Sequence, residues 1–450
     1  MTDTRVLLLS IPGLRSKDLH LMPALSALAT QGSCVPLDPG FPAITCPVQA
    51  SLTTGVNPAG HGIVANGLYD RTKKHLEMWI SPDTVHRAPR IWDRLKSMRP
   101  DLKTAAWFLL QSKHASADLV CLPAPKHNAD GSETMWCHTN PESLYVELRA
   151  TLGEFPLHKF WGPVAGIESS QWIARSFIEA SRKDPPQFAV IYLPHLDYAA
   201  QRTGPDSKPA LEACRELDAE IENLIEDYQK LTNNDVCIIV AGEYQIRPVS
   251  HTLFPNRILR EDGLLQVTQS ESGEIIDTAA SKAWALADHQ ISHVFIDNDN
   301  DQGLVNHIAS LFAHEDGVGG VIAGDELVER GLSPAPRQDQ DSRCGSLVIE
   351  SKCNSWQAYH YWNDDALAPS FAHSIDIHRK PGYDPLELHV ETSKLPTVSI
   401  PFDTSLIRGS HGARDRNHPH ETILITSRPD LINHSLTSND IADNILAMFT

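Results

Sequence analysis

Positive charge is scarce in this chain of 450 residues: 38 Lys and Arg stand against 57 Asp and Glu, a net charge of -19. That balance excludes non-specific binding of nucleic-acid polymers and of anionic membrane surfaces, which both need basic patches. A small anionic substrate stays compatible, because a metal ion or a helix end can reverse the field locally. Long hydrophobic runs are also missing. No segment approaches the ~18 consecutive apolar residues of a membrane span. The opening run Val6-Leu7-Leu8-Leu9 is interrupted at Pro12, too soon for a signal peptide, and reads as a first strand. Cysteine is limited to eight residues with no C-x-x-C pair. Free buried thiols in a reducing compartment are the expectation, which makes a cytoplasmic protein the default. A homo-oligomer is allowed.

What is present is an ordinary globular mix, 41% hydrophobic and 21% charged, enough to bury a large core. Val6–Ile11 is an apolar run closed by Pro12-Gly13, and 187–192 and 236–240 are similar runs closed by Leu193-Pro194 and Ala241-Gly242. Between them lie helical patterns. Leu211, Cys214, Leu217, Ile221, Leu224, Ile225 and Tyr228 recur mostly at three- and four-residue spacing. A shorter helix is expected over 21–31, and Ser438 is expected to cap a last one. Alternation of strand and helix predicts an α/β fold: a mostly parallel sheet covered by helices on both faces. The whole chain reads as one such unit, with irregular inserted segments at 123–166 and 332–395 beside the site.

The most informative stretch is Phe41-Pro42-Ala43-Ile44-Thr45-Cys46-Pro47, followed by apolar and small residues up to Gly55. It predicts a loop that delivers the Thr45 hydroxyl to the first turn of a helix, with Pro47 near its start and Gly55 as its stop. Backbone N–H groups and the positive end of the helix dipole converge there, a good place to hold a phosphate and to ease ionisation of a hydroxyl. Three further polar segments fall just after strands or in loops: His195-Leu196-Asp197 with Gln201-Arg202, Glu243-Tyr244, and Gly409-Ser410-His411-Gly412. Ligands bind at that carboxyl edge of open parallel sheets.

These segments, with Pro23, Leu25, Leu28 and Gly32, with His61-Gly62-Ile63 and with Asn66-Gly67-Leu68-Tyr69-Asp70, resemble in order and wording the alkaline phosphatase superfamily, in its nucleotide pyrophosphatase/phosphodiesterase branch. The resemblance covers about residues 1–120, 185–265 and 400–450. It implies Thr45 as nucleophile, Asn66 as donor to a phosphate oxygen, and Asp197, Glu243 and His411 as metal ligands. In that family two zinc ions are held by three Asp and three His. Here Glu243 replaces one Asp, Pro12 stands where a first-strand Asp is expected, and Gln201 and Tyr244 stand where two His are expected. A proline side chain binds no zinc and an amide oxygen binds it poorly. One divalent ion, zinc first, or none is therefore the cofactor expectation.

Substitutes or substrate contacts are sought in His195, Asp288-His289, His293, His251, His378, Gln201, Tyr244 and Arg202. Each also has a plainer reading. His195 is a loop residue, Asp288-His289 a turn pair, 378–380 a solvated strip, Arg202 a surface ion-pair partner, and Gln201 and Tyr244 fill space. The leading expectation is a hydrolase acting on a phosphate ester, phosphodiester or pyrophosphate through Thr45 with a remodelled metal site. The alternatives are a repurposed lyase, isomerase or group-transfer enzyme using acid/base chemistry, and a non-catalytic relative.

Overall fold

The protein is described by a computed structural model covering residues 4–127, 133–334, 343–391, 399–414, 421–432 and 434–450. Parts of both expected insertions (128–132, 335–342 and 392–395) lie outside the described residues.

Val6–Ile11 runs through the middle of a nine-stranded sheet. It is flanked in parallel by Phe188–Tyr192 on one side and Cys237–Gly242 on the other. Thr104–Trp107 and Leu119–Pro123 extend the parallel part. Cys137–Asn140, Ile423–Thr426 and Ser33–Asp38 add antiparallel pairings towards the edges. The central strands are buried on both faces, which explains why they read as unbroken apolar runs and not as alternating ones. Helices pack in two groups. Pro23–Gln31, Ile167–Ser181 and Lys208–Leu231 form one, and Thr45–Thr54, Ile91–Met98 and Ser438–Ala447 the other.

Register positions the site. Ser10 lies opposite Tyr192 on one side, and Ile11 opposite Gly242 on the other. The segments that follow these strands therefore leave the sheet at one edge, side by side. Gly13 closes the turn after the first strand at φ 77° and donates its N–H to the Tyr244 carbonyl at 3.0 Å. A side chain there would be strained and would crowd Ile246 and Leu196.

Three expectations need correction. The stretch 123–166 is not irregular: it includes a sheet edge, Cys137–Asn140, and a helix, Leu144–Leu152. A second, antiparallel sheet of four strands joins Ala283–Asp288, Ile291–Ile296, Leu347–Ser351 and Val318–Ala323. It has its own buried cluster around Trp284, Phe295 and Trp362. Last, Thr437 and not Ser438 caps the final helix, in a capping box with Asp440. All eight cysteines are free. Among the described residues no helix is long and apolar enough to cross a membrane.

Candidate active site

The Thr45–Thr54 helix starts after an extended Ile44 and ends at Gly55 in the left-handed conformation, so the hydroxyl of Thr45 stands in the first turn as the sequence predicts. Thr45 and Cys46 form part of the lining of a cavity of about 940 Å³. The Thr45 hydroxyl hydrogen-bonds the Tyr244 hydroxyl at 2.9 Å. Tyr244 comes from the segment after Cys237–Gly242, and Asp197 from the helix His195–Thr203 that follows Phe188–Tyr192. The parallel register described above brings the two together with Thr45.

Each carried-over residue has a definite partner. Asp197 accepts from Gln201 Nε2 at 2.8 Å, across one helical turn. Glu243 Oε1 accepts from Ser10 Oγ at 2.6 Å and from Gln49 Nε2 at 2.9 Å. His411 Nδ1 meets the Ala43 carbonyl at 2.8 Å. Asn66 is turned inward. Its Oδ1 accepts the Cys46 N–H at 3.1 Å, and its Nδ2 donates to Asp288 Oδ1 at 3.1 Å. Asn66 thus caps the start of the Thr45 helix instead of pointing into the cavity.

Asp288 and His289 are both a turn pair and site residues. The hairpin between Ala283–Asp288 and Ile291–Ile296 has a two-residue loop, with His289 at φ 60°. Gln290 N–H binds the His411 carbonyl at 3.0 Å and fixes the tip against the site. Asp288 Oδ1 then holds His289 Nδ1 at 2.7 Å, and the His289 ring joins the cavity wall. Four rings follow in series: Tyr244 stacks on His411 at 3.6 Å, His411 meets His289 at 3.9 Å with planes tilted by 41°, and His289 stacks on Tyr383 at 3.6 Å. Tyr383 Oη donates to Gln201 Oε1 at 2.7 Å.

Burial sets the protonation of this floor. It pushes Asp197 up to about 7, partly countered by the Gln201 amide and the nearby Tyr244 hydroxyl. It pushes Glu243 up to about 8 against its bonds to Ser10 and Gln49, and Asp288 up to about 6 against the Asn66 N–H groups. His289 and His411 are held neutral, well below the usual imidazole value, by the same desolvation. Near neutral pH both imidazoles are therefore neutral and Glu243 is mostly protonated, while Asp197 sits near its midpoint and Asp288 is mostly ionised.

His195 and Arg202 do not reach this cavity. His195 pairs with Glu216 at 2.9 Å, and Arg202 donates to the Pro163 carbonyl at 2.9 Å; both line a smaller hollow nearby. His378 lies on the cavity wall, with Nδ1 against the Met78 carbonyl at 3.1 Å. Both expected insertions contribute wall: Phe160 and Trp161 from one, Ile375 and Arg379 from the other. Sequence reasoning missed the roles of Ser10, Gln49 and Tyr383. Gln49 carried a signal, since it stands four residues after Thr45 on the same helix face.

The donor set does not fit a pair of zinc ions. Among the described residues no three His, Cys, Asp or Glu side chains gather as a metal would require. Tyr244 and Gln201, at the positions where the resemblance expects two His, supply a phenol ring and an amide.

A model of type I phosphodiesterases / nucleotide pyrophosphatases matches residues 6–384. The chain is 25% identical over 416 residues to an uncharacterized pyrophosphatase/phosphodiesterase of the fission yeast Schizosaccharomyces pombe, covering 90% of this chain and 71% of that one. It is 24% identical over 246 residues to mouse ectonucleotide pyrophosphatase/phosphodiesterase family member 3, covering 53% of this chain but only 24% of that protein. Among solved structures, murine ectonucleotide pyrophosphatase / phosphodiesterase 5 superposes with a TM-score of 0.61 at 15% identity, covering 99% of this chain and 95% of that one. Phosphonoacetate hydrolase of Sinorhizobium meliloti, in complex with phosphonoformate, gives 0.62 at 17%, covering 99% and 96%. These likenesses show the fold. By the match over most of its length, the chain belongs to the type I phosphodiesterase / nucleotide pyrophosphatase family, whose members are phosphodiesterase- and pyrophosphatase-type hydrolases.

Proposed function

We propose that this protein hydrolyses a small phosphate ester, phosphodiester or pyrophosphate, with the Thr45 hydroxyl as the attacking group. The observation that supports it is the 2.9 Å bond from Thr45 to Tyr244 beside Asp197, at the floor of a cavity large enough for a substrate. Tyr244 takes the Thr45 proton as it passes its own to the Asp197 carboxylate. The Thr45 Oγ–P bond forms while the ester P–O bond breaks, and the leaving oxygen takes a proton from water. The hydroxide so formed attacks phosphorus, the Oγ–P bond breaks, and Asp197 returns the proton to Thr45 through Tyr244. A base near neutral pKa suits this relay, because it both accepts and gives back a proton at working pH. Lys113 and Arg379 on the wall offset the charge of an anionic substrate, and Trp79, Phe160 and Trp161 cover its apolar part.

A second reading, acid/base chemistry without phosphoryl transfer, is favoured by the two carboxyls of raised pKa, Asp197 and Glu243. A panel of phosphate monoesters, diesters and nucleoside pyrophosphates separates the two. Turnover with release of phosphate or nucleotide, lost in Thr45→Ala, supports the hydrolase. An absence of turnover across the panel contradicts it.

A further inference from the structure

The donor atoms that remain in the site tell a coherent story. Asp197 Oδ1, Glu243 Oε2 and His411 Nε2 are buried without a hydrogen-bond partner. These three atoms are the bonding capacity left over, yet the side chains that bear them do not form a three-donor group. Zinc needs three or four donors around one point. The other atom of each group is already committed: Asp197 Oδ2 to Gln201, Glu243 Oε1 to Ser10 and Gln49, and His411 Nδ1 to Ala43.

What a metal does for a site is to fix a nucleophile, orient carboxylates and hold imidazoles in place. Each of these tasks has another agent here. Tyr244 Oη holds the Thr45 hydroxyl, and it lies close enough to Asp197 to draw that carboxyl pKa down. The Tyr244 ring lies flat on His411 and fixes its plane. His411 rests on His289, and His289 on Tyr383. Tyr383 Oη binds Gln201, and Gln201 binds Asp197. The chain of contacts runs from Thr45 through four rings and an amide to Asp197. A buried ring with a satisfied hydroxyl is stable in such a place, whereas an ion with too few donors is not.

We infer that this chain of contacts replaces the metal centre: Thr45, His411 and Asp197 are each positioned by protein groups without an ion, and Tyr244 holds Thr45 in the metal's stead. The inference goes beyond the hydrolase proposal and does not need it, because it concerns what the folded chain binds and not what it turns over.

The test is metal binding. The full chain, expressed with zinc in the medium, is subjected to elemental analysis, to equilibrium dialysis against zinc, and to melting with zinc and with a chelator. The expected result is far less than one zinc per chain and a melting temperature that neither reagent moves, since an ion bound only by the folded state would raise it. A Gln201→His, Tyr244→His double variant restores two imidazoles and is expected to bind zinc at least tenfold more tightly and to melt higher in its presence. One zinc per wild-type chain, with a lower melting temperature on chelation, overturns the inference. Should the double variant fail to fold, the wild-type measurement alone decides. A failure here leaves the hydrolase proposal standing, and a failure to find turnover leaves this result untouched.

Discussion

Tyr244 lies face to face with His411, ring centroids 3.6 Å apart and planes 6° from parallel, while its hydroxyl meets that of Thr45 at 2.9 Å. Ring and hydroxyl have separable duties. The ring braces the stack, and in the proposed mechanism the hydroxyl relays the Thr45 proton.

Tyr244→Phe keeps the ring and removes only the hydroxyl. It is expected to lower kcat about a hundredfold, the usual scale for losing a proton relay, with KM and melting temperature little changed. Tyr244→Ala also removes the ring from a buried stack and is expected to cost about 3–5 kcal/mol of stability. Steady-state kinetics beside denaturant unfolding distinguish the two effects.

Asp197→Asn preserves shape and removes the proton acceptor. Turnover is expected to fall to background, as in Thr45→Ala, while both variants melt close to wild type. The check is parallel activity and melting measurements on the same preparations. Retained activity in Asp197→Asn would remove Asp197 from the relay.

Lys380 is 1% exposed and holds Asp384 at 2.8 Å and Glu387 at 2.6 Å, and Glu387 in turn accepts from Trp161 Nε1 at 2.6 Å. This buried triad ties the segment around Tyr383 to the aromatic wall contributed by the other insertion. Lys380→Met leaves two carboxylates buried without a cation, and is expected to destabilise the fold by about 3–5 kcal/mol. Urea unfolding of Lys380→Met against wild type gives the number. A change under ~1 kcal/mol would show that the triad contributes little.

His61 provides a pH test away from the site. Its Nδ1 accepts the Ile63 N–H at 3.0 Å and its Nε2 meets Ser51 Oγ at 3.1 Å, so the folded state needs the neutral ring. Burial, aided by Arg90 and Arg343, lowers its pKa from 6.5 to about 3. Between those values the unfolded chain takes up a proton that the folded chain refuses. Stability from this residue is therefore full above pH 6.5 and drains as pH falls towards 3, at up to ~1.4 kcal/mol per unit. Unfolding free energies measured across that window are expected to slope less in His61→Gln than in wild type.

The framework of the sheet could be read from the chain because its central strands are buried on both faces and end at Pro or Gly. Val6–Ile11 shows this most clearly. The helix Lys208–Leu231 announced itself by spacing, and Thr45 by the loop before it. The second sheet could not be read so easily. Ala283–Asp288 is rich in alanine and buried throughout, so it shows neither alternation nor strong strand propensity, and Leu347–Ser351 sits inside a stretch of Pro- and His-rich segments. At the site, residues after parallel strands were legible since register alone carries them to one edge. Stacking was not, because Tyr244, His411, His289 and Tyr383 come from four distant segments and meet only through tertiary packing. Asn66 illustrates the same limit. The sequence marks it as a donor near Thr45, but the direction of its amide is set by Asp288, 222 residues away.

The central claim is that the Thr45 oxygen attacks phosphorus. Rapid acid quench during turnover of a nitrophenyl phosphodiester, followed by peptide mass spectrometry, tests it most directly. The account predicts a phosphoryl adduct on the peptide bearing Thr45, absent from Thr45→Ala, which also turns over nothing. Turnover by Thr45→Ala at the wild-type rate, with no adduct on that peptide in either protein, would contradict it.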